Sequence, residues 1–316
     1  MKKHYKHWLK IASGTALLTV SIAASAAEPE QCKTVTFTDP GWSDIGATNA
    51  IATTLLTALG YKTHIMLLGV PIVFESLKTG EADVFLGNWM PVQKNYIKKY
   101  ADDINVIRTN LTGIKFTLAV PTYVYDDGVK DFADLHKFSN KFHHRIYGIE
   151  AGSAVNQTLQ KMIHNKDYDL GDWQLVASSE QGMLAQVARF VKRHKFIVFI
   201  AWEPHPMNIR FHLKYLSGGD KYFGPNYGGN TTVQTITRKG YTKECGNVGK
   251  FLHNLKFNVK MENEIMLAEK DEGKSAKTAA TEWIKAHPDV LNKWLDGVKT
   301  YDGQPALNQV KSKLGI

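Results

Sequence analysis

Strand-like and helix-like segments alternate along this chain in two series, and that alternation leaves few folds open. "KTVTFTD" alternates apolar and polar side chains as a strand does. "IGATNAIATTLLTALGY" follows with helical spacing and a Gly near its end. "KTHIMLL", "VPIVFESLKTG" and "EADVFLGNW" then read as strand, short helix and strand. Such a βαβαβ series implies a largely parallel sheet with helices on its faces. Ligands of such sheets sit beyond the carboxyl ends of the strands. Trp42 and Trp89 fall at those ends.

The second series begins at the strand "KFTLAVP". "HRIYGIEAGSAVNQTLQKMI" reads as strand, Gly-Ser turn and helix, and "WQLVASSEQGMLAQVARFVKRH" as strand and helix. "KFIVFIAWEP" is an apolar strand ending at Trp202. The Gly152-Ser153 turn sets a helix N-terminus at the strand edge, with Asn156 in its first turn. "VQTITRKG" is a further strand, and the remainder is mainly helical, with "TEWIKAHPDVLNKWLDGV" carrying apolar residues at helical spacing.

The N-terminal "MKKHYKHWLKIASGTALLTVSIAASA" is a basic segment, a short apolar run and a small-residue site at Ala24-Ser25-Ala26, the pattern of a secretory signal over 1–26. A membrane anchor is the other reading, but a spanning helix needs about 20 apolar residues and this run is short and rich in Ala, Ser and Thr. Lipid attachment at Cys32 does not fit the preceding Pro29-Glu30-Gln31. The expected mature protein is therefore soluble and exported to the periplasm. Its formal charge falls from +9 to +5 with the loss of Lys2, Lys3, Lys6 and Lys10. No basic stripe interleaved with aromatics points to a nucleic-acid partner. In an oxidising compartment the only two cysteines, Cys32 and Cys245, are a disulfide candidate, with two free buried thiols as the alternative.

A Cys32–Cys245 link would tie the first and last segments into one lobe, with a second lobe inserted between them. At 316 residues and 43% hydrophobic content the chain is large enough for both. The expected division is 27–115 and 227–316 for the first lobe and 116–226 for the second. Two crossings make a hinge. The fold class expected is α/β, a two-lobe periplasmic binding protein of type II that closes a cleft on its ligand.

"DPGWSDIGATNAIA", "GEADVFLGNWMP", "KFTLAVP", "GIEAGSAVNQ" and "FIAWEPHPMN" resemble, in order and spacing, the choline-binding members of the quaternary-ammonium binding proteins of ABC importers. The resemblance runs from about Cys32 to the final helices. It implies an aromatic box for a trimethylammonium group with Trp42, Trp89 and Trp202 as walls, and Asp44 and Asn156 at the ligand's hydroxyl. The family's fourth wall is a Tyr; the corresponding residue here, in "GIKFTLAVP", is Phe116. Phe keeps the π face and lacks the phenol. The resemblance further implies a monomer that passes choline or a related quaternary amine to an ABC permease in the inner membrane, without a cofactor or metal.

The chemistry supports such a box. A quaternary ammonium has no N–H to donate, so electron-rich ring faces are the surface suited to it. For Trp173, Trp283 and Trp294, on a strand start and on helical faces, core packing is the expected role. Asp44 also suits capping of a helix that begins near Ile45, and Asn156 suits the backbone groups at its helix start. Glycine betaine, carnitine and proline betaine are alternative ligands of the same class. A secreted choline-ester hydrolase is a remote alternative, since "EAGSAV" supplies a Ser without an identifiable base. The histidines are scattered, and adjacent His143 and His144 cannot face one metal as an i, i+4 pair would; all are expected in solvent.

Overall fold

The computed structural model describes residue 1 and residues 28–316, so the expected leader, Met1 apart, lies outside the described residues. Among the described residues, ten strands form two five-stranded sheets. The first sheet has the order β2-β1-β3-β10-β4, built from β1 (Thr34–Asp39), β2 (Lys62–Leu67), β3 (Val84–Met90), β4 (Ile104–Leu111) and β10 (Thr232–Arg238). β1 runs parallel to β2 and β3, whereas β10 enters antiparallel between β3 and β4. The second sheet has the order β7-β6-β8-β5-β9, from β5 (Lys115–Pro121), β6 (Arg145–Tyr147), β7 (Gln174–Val176), β8 (Phe199–Glu203) and β9 (Leu213–Tyr215). β6 is parallel to β7 and β8, and β5 is antiparallel to β8 and β9. Each sheet with its helices is a lobe.

The chain passes between the sheets twice, from β4 to β5 and again on its way to β10. The second passage lies so close to β5 that a Cβ on Gly228 would come within 2.6 Å of the Phe116 carbonyl oxygen. Gly228 also has φ +77°, a conformation that only glycine adopts without strain.

The helix Ser43–Ala58 shows how packing replaces local signals. It has no side-chain cap of its own. Ile45, Ile51, Leu55 and Leu56 are all fully buried, each worth about 1.5–3 kcal/mol of apolar burial. Helices Val259–Asp271 and Ala276–Ala286 pack over it, so it is enclosed on more faces than an amphipathic surface helix. "TEWIKAHPDVLNKWLDGV" divides into the ends of two helices, Ala276–Ala286 and Val290–Trp294, because Pro288 cannot continue the first. "KFIVFIAWEP" is strand only over Phe199–Glu203. Trp173 and Trp294 are buried in the cores, and Trp283 is half-buried, its Nε1 donating to Glu264 at 2.7 Å.

Cys32 and Cys245 form a disulfide, with both residues fully buried. It joins the turn before β1 to the segment after β10, both in the first lobe. The sequence separation is 213 residues, and a crosslink closing so long a loop is worth up to about 5 kcal/mol through the unfolded chain. The Cys32→Ala/Cys245→Ala variant is therefore expected to melt well below the wild type. An unchanged melting temperature would contradict a stabilising role for the crosslink.

Candidate functional site

A narrow cleft lies between the two sheets, lined by residues of both. Its aromatic lining is Trp42, Trp89, Phe116 and Trp202, joined by Asp44. Both lobes contribute: Trp42 ends the loop after β1, Trp89 lies near the end of β3, and Phe116 and Trp202 are direct cross-strand partners on β5 and β8. Directly opposed residues of an antiparallel pair point to the same face, so β5 and β8 deliver two adjacent rings to the cleft. The Trp89 and Phe116 rings meet across the lobes with centroids 5.4 Å apart. All four rings are at least nine-tenths buried.

Two of the indoles are held by carboxylates. Trp42 Nε1 donates to Glu150 Oε2 at 3.0 Å, and Trp89 Nε1 donates to Asp44 Oδ2 at 3.2 Å. These bonds engage the indole edges and hold the two rings in orientation. The Nε1 of Trp202 is buried without a hydrogen-bond partner.

Asp44 sits in the first turn of the helix Ser43–Ala58 and is 1% exposed. Trp42 occupies the cap position instead, so Asp44 does not cap the helix. Its Oδ1 is buried with no hydrogen-bond partner. Burial raises its pKa well above the ordinary carboxylate range, and the nearby Glu180 raises it further. Glu262, from the helix Val259–Asp271, is likewise raised by burial and by Asp44. Asp39 and Glu150 are also raised, burial being the largest cause for each. The site is thus rich in buried acid, and among the described residues no Lys, Arg or His lines the cavity.

Asn156 has a different place from the one expected. Its side chain is not in the cavity lining. Its Oδ1 accepts from Ile149 N at 3.1 Å, and its Nδ2 donates to the carbonyls of Ile149 at 2.7 Å and Glu150 at 3.2 Å. With both ends of the amide committed to backbone, Asn156 holds the loop that carries Glu150, and no free donor is left for a ligand.

The sequence reading did not single out Val92, Gln93, Ile149, Ala154 or Val155, all of which line the cavity. Val92 and Gln93 follow a quoted motif and Ile149, Ala154 and Val155 lie within another, but no spacing rule marks a residue that merely completes a wall. Ser153, of the Gly152-Ser153 turn, also lines the cavity and caps the helix Ala154–His164, accepting from Asn156 N. His205 corrects the expectation that the histidines face solvent: it is 3% exposed, with Nε2 3.1 Å from Glu180 Oε1. The signal for it was weak, since "WEPHP" offers no period.

Two α/β lobes joined by two crossings, with an aromatic-lined cleft between them, define a two-lobe binding protein of the periplasmic type. Residues 33–286 match the substrate-binding domain of ABC-type glycine betaine transport systems, OpuAC, and the chain belongs to that family. It is similar to an ABC-transporter choline-binding protein solved with choline, at 49% identity and TM-score 0.89, covering 91% of this chain and 100% of that one. A lactococcal OpuAC in its closed form with glycine betaine is 30% identical with TM-score 0.75, covering 83% of this chain and 99% of that one. The glycine betaine/carnitine transport binding protein of Listeria monocytogenes is 34% identical over 192 residues, 60% of this chain and 60% of that protein.

Proposed function

We propose that this protein captures choline between its lobes and delivers it to the permease of an ABC importer in the inner membrane. It acts as a periplasmic monomer after removal of the leader over 1–26. The lobes divide at about 115 and 226, where the chain passes between the sheets. Trp42, Trp89, Phe116 and Trp202 enclose the trimethylammonium group, and Asp44 accepts the hydroxyl. Cation–π attraction of about 1–2 kcal/mol per desolvated face gives roughly 3–8 kcal/mol from such a cage before ordering costs.

The observation that carries this reading is the Asp44 carboxyl in the cavity wall, with its buried Oδ1 unpartnered. A cation beside it and a hydroxyl donor on it satisfy both of its needs. One observation favours glycine betaine instead: Ser153, Ala154 and Val155 bring a helix N-terminus to the cavity, and its first N–H groups suit a carboxylate. That carboxylate would share the cleft with the buried Asp44, and the repulsion between them makes choline the better fit. A thermal-shift panel of choline, glycine betaine, carnitine and proline betaine tests the assignment. Choline is expected to give the largest shift.

The raised pKa of Asp44 makes binding pH-dependent. A bound cation favours the ionised carboxylate, so Asp44 titrates lower in the complex than in the empty protein and binding releases a proton. Affinity should therefore rise with pH between the Asp44 pKa in the complex and its raised value in the empty protein, and level off above the latter. The stability of the empty protein moves the other way. Its folded-state pKa being raised, the Asp44 contribution is complete below the unfolded value and lost as pH rises through the folded one. The melting-temperature gain on adding choline should thus grow with pH. A gain that shrinks with rising pH would contradict the role of Asp44.

A further inference from the structure

Three consecutive residues of the first lobe, Gly41, Trp42 and Ser43, are each held by the second lobe. Gln181 Nε2 donates to the Gly41 carbonyl at 3.1 Å, and Trp42 Nε1 donates to Glu150. Ser43 makes the firmest contact: its backbone N donates to Glu180 Oε2 at 2.9 Å and its hydroxyl to Glu180 Oε1 at 2.5 Å. Glu180 is 1% exposed and does not line the cavity.

The contact has a clear electrostatic logic. The 16-residue helix Ser43–Ala58 has no side-chain cap from its own segment, and its first N–H is satisfied from the opposite lobe. Glu180 is also the first residue of the helix Glu180–Lys192, so one carboxylate stands at two helix N-termini, where negative charge is favoured. His205 completes the arrangement. Met207 N donates to His205 Nδ1 at 2.9 Å, so Nδ1 carries no proton and Nε2–H donates to Glu180. Burial opposes ionisation of Glu180, but the bonds from His205 and Ser43 outweigh it and hold the carboxyl below its ordinary range.

We propose that Glu180 is a positioning residue that latches the lobes: by capping the helix Ser43–Ala58 from across the cleft, it locks Trp42 and Asp44 against the ligand and sets the ligand's residence time. Opening the lobes removes the cap and returns the carboxylate to water, so the latch acts on release of ligand more than on its entry. The proposal rests on the reading that a quaternary amine occupies the cavity.

Stopped-flow tryptophan fluorescence with choline separates entry from release in the wild type, Glu180→Gln and Ser43→Ala. Glu180→Gln is expected to speed dissociation at least about 10-fold with little change in association, as loss of a buried charge-assisted contact across an interface does. Ser43→Ala keeps the backbone donor and loses only the hydroxyl, so a rise of about 3-fold is expected. Melting of the ligand-free variants separates a latch from a merely structural role: the latch leaves it near the wild-type value, whereas a fold-supporting residue lowers it. An unchanged dissociation rate in Glu180→Gln overturns the proposal. Should that variant fail to fold, an unchanged rate in Ser43→Ala does the same. If the wild type binds glycine betaine and not choline, the choline reading fails, and the same variants with glycine betaine as probe still decide the latch.

Discussion

Trp89→Ala is expected to weaken choline binding at least about 100-fold, roughly 2.7 kcal/mol, without unfolding the protein. Two losses combine in this one change. The cage loses a cation–π face that is 97% buried, and the space opens to water beside the three remaining rings. The Asp44 carboxyl also loses its indole donor, the 3.2 Å bond to Oδ2, leaving both of its oxygens without a side-chain partner. Trp89→Phe divides the two effects, since it keeps a face and removes the donor. An intermediate loss, about 10-fold, is expected there. Calorimetric titration of the purified variants, with circular dichroism to confirm folding, measures both. Trp42→Ala and Trp202→Ala should each cost at least about 10-fold, Trp202 through its face alone because its N–H has no partner to lose. Wild-type affinity in Trp89→Ala would place the ligand outside this cavity.

Asp44→Asn is expected to remove most of the preference for choline over glycine betaine, mainly by weakening choline about 10-fold or more. The two ligands share a head group, so the rings cannot tell them apart. Discrimination has to come from the other end. Asp44 attracts the ammonium, accepts the choline hydroxyl and repels the betaine carboxylate; an amide at the same place retains only the capacity to accept a hydrogen bond. Asn also removes the titrating group, so the pH dependence of affinity should flatten in the variant. A full pH dependence surviving in Asp44→Asn would move the linkage to Glu150, Glu180 or Glu262, which lie buried around the same cleft.

Much of the fold was legible because the strands and helices carry strong local signals. β1, β3, β5 and β10 are apolar or alternating runs, and the segments between them keep helical spacing. β4 and β9 passed unnoticed. "INVIRTNL" is polar enough to read as loop, and only its pairing with β10 makes it a strand. β9 is three residues long and rests on β5. The cysteines could be paired because there were only two. At the site, the rings were visible because a Trp beside a strand end is unusual, and Asp44 because it neighbours one of them. The Asn156 bonds to Ile149 and Glu150 were not legible, because sequence gives a residue's position on a helix but not what its side chain bonds. Glu180 and His205 were invisible for a related reason. Glu180 acts through Ser43, 137 residues away in sequence and on the other lobe, and His205 acts on Glu180 from within the second lobe.

Competition calorimetry decides whether an aromatic cage with an acid in its wall selects choline. The mature wild-type protein, stripped of bound ligand, is titrated at neutral pH with choline and with glycine betaine, and then with each in the presence of the other. The account predicts tighter binding of choline by at least about 10-fold, or about 1.4 kcal/mol, and displacement of glycine betaine by choline. Glycine betaine binding as tightly as choline, or more tightly, would contradict it.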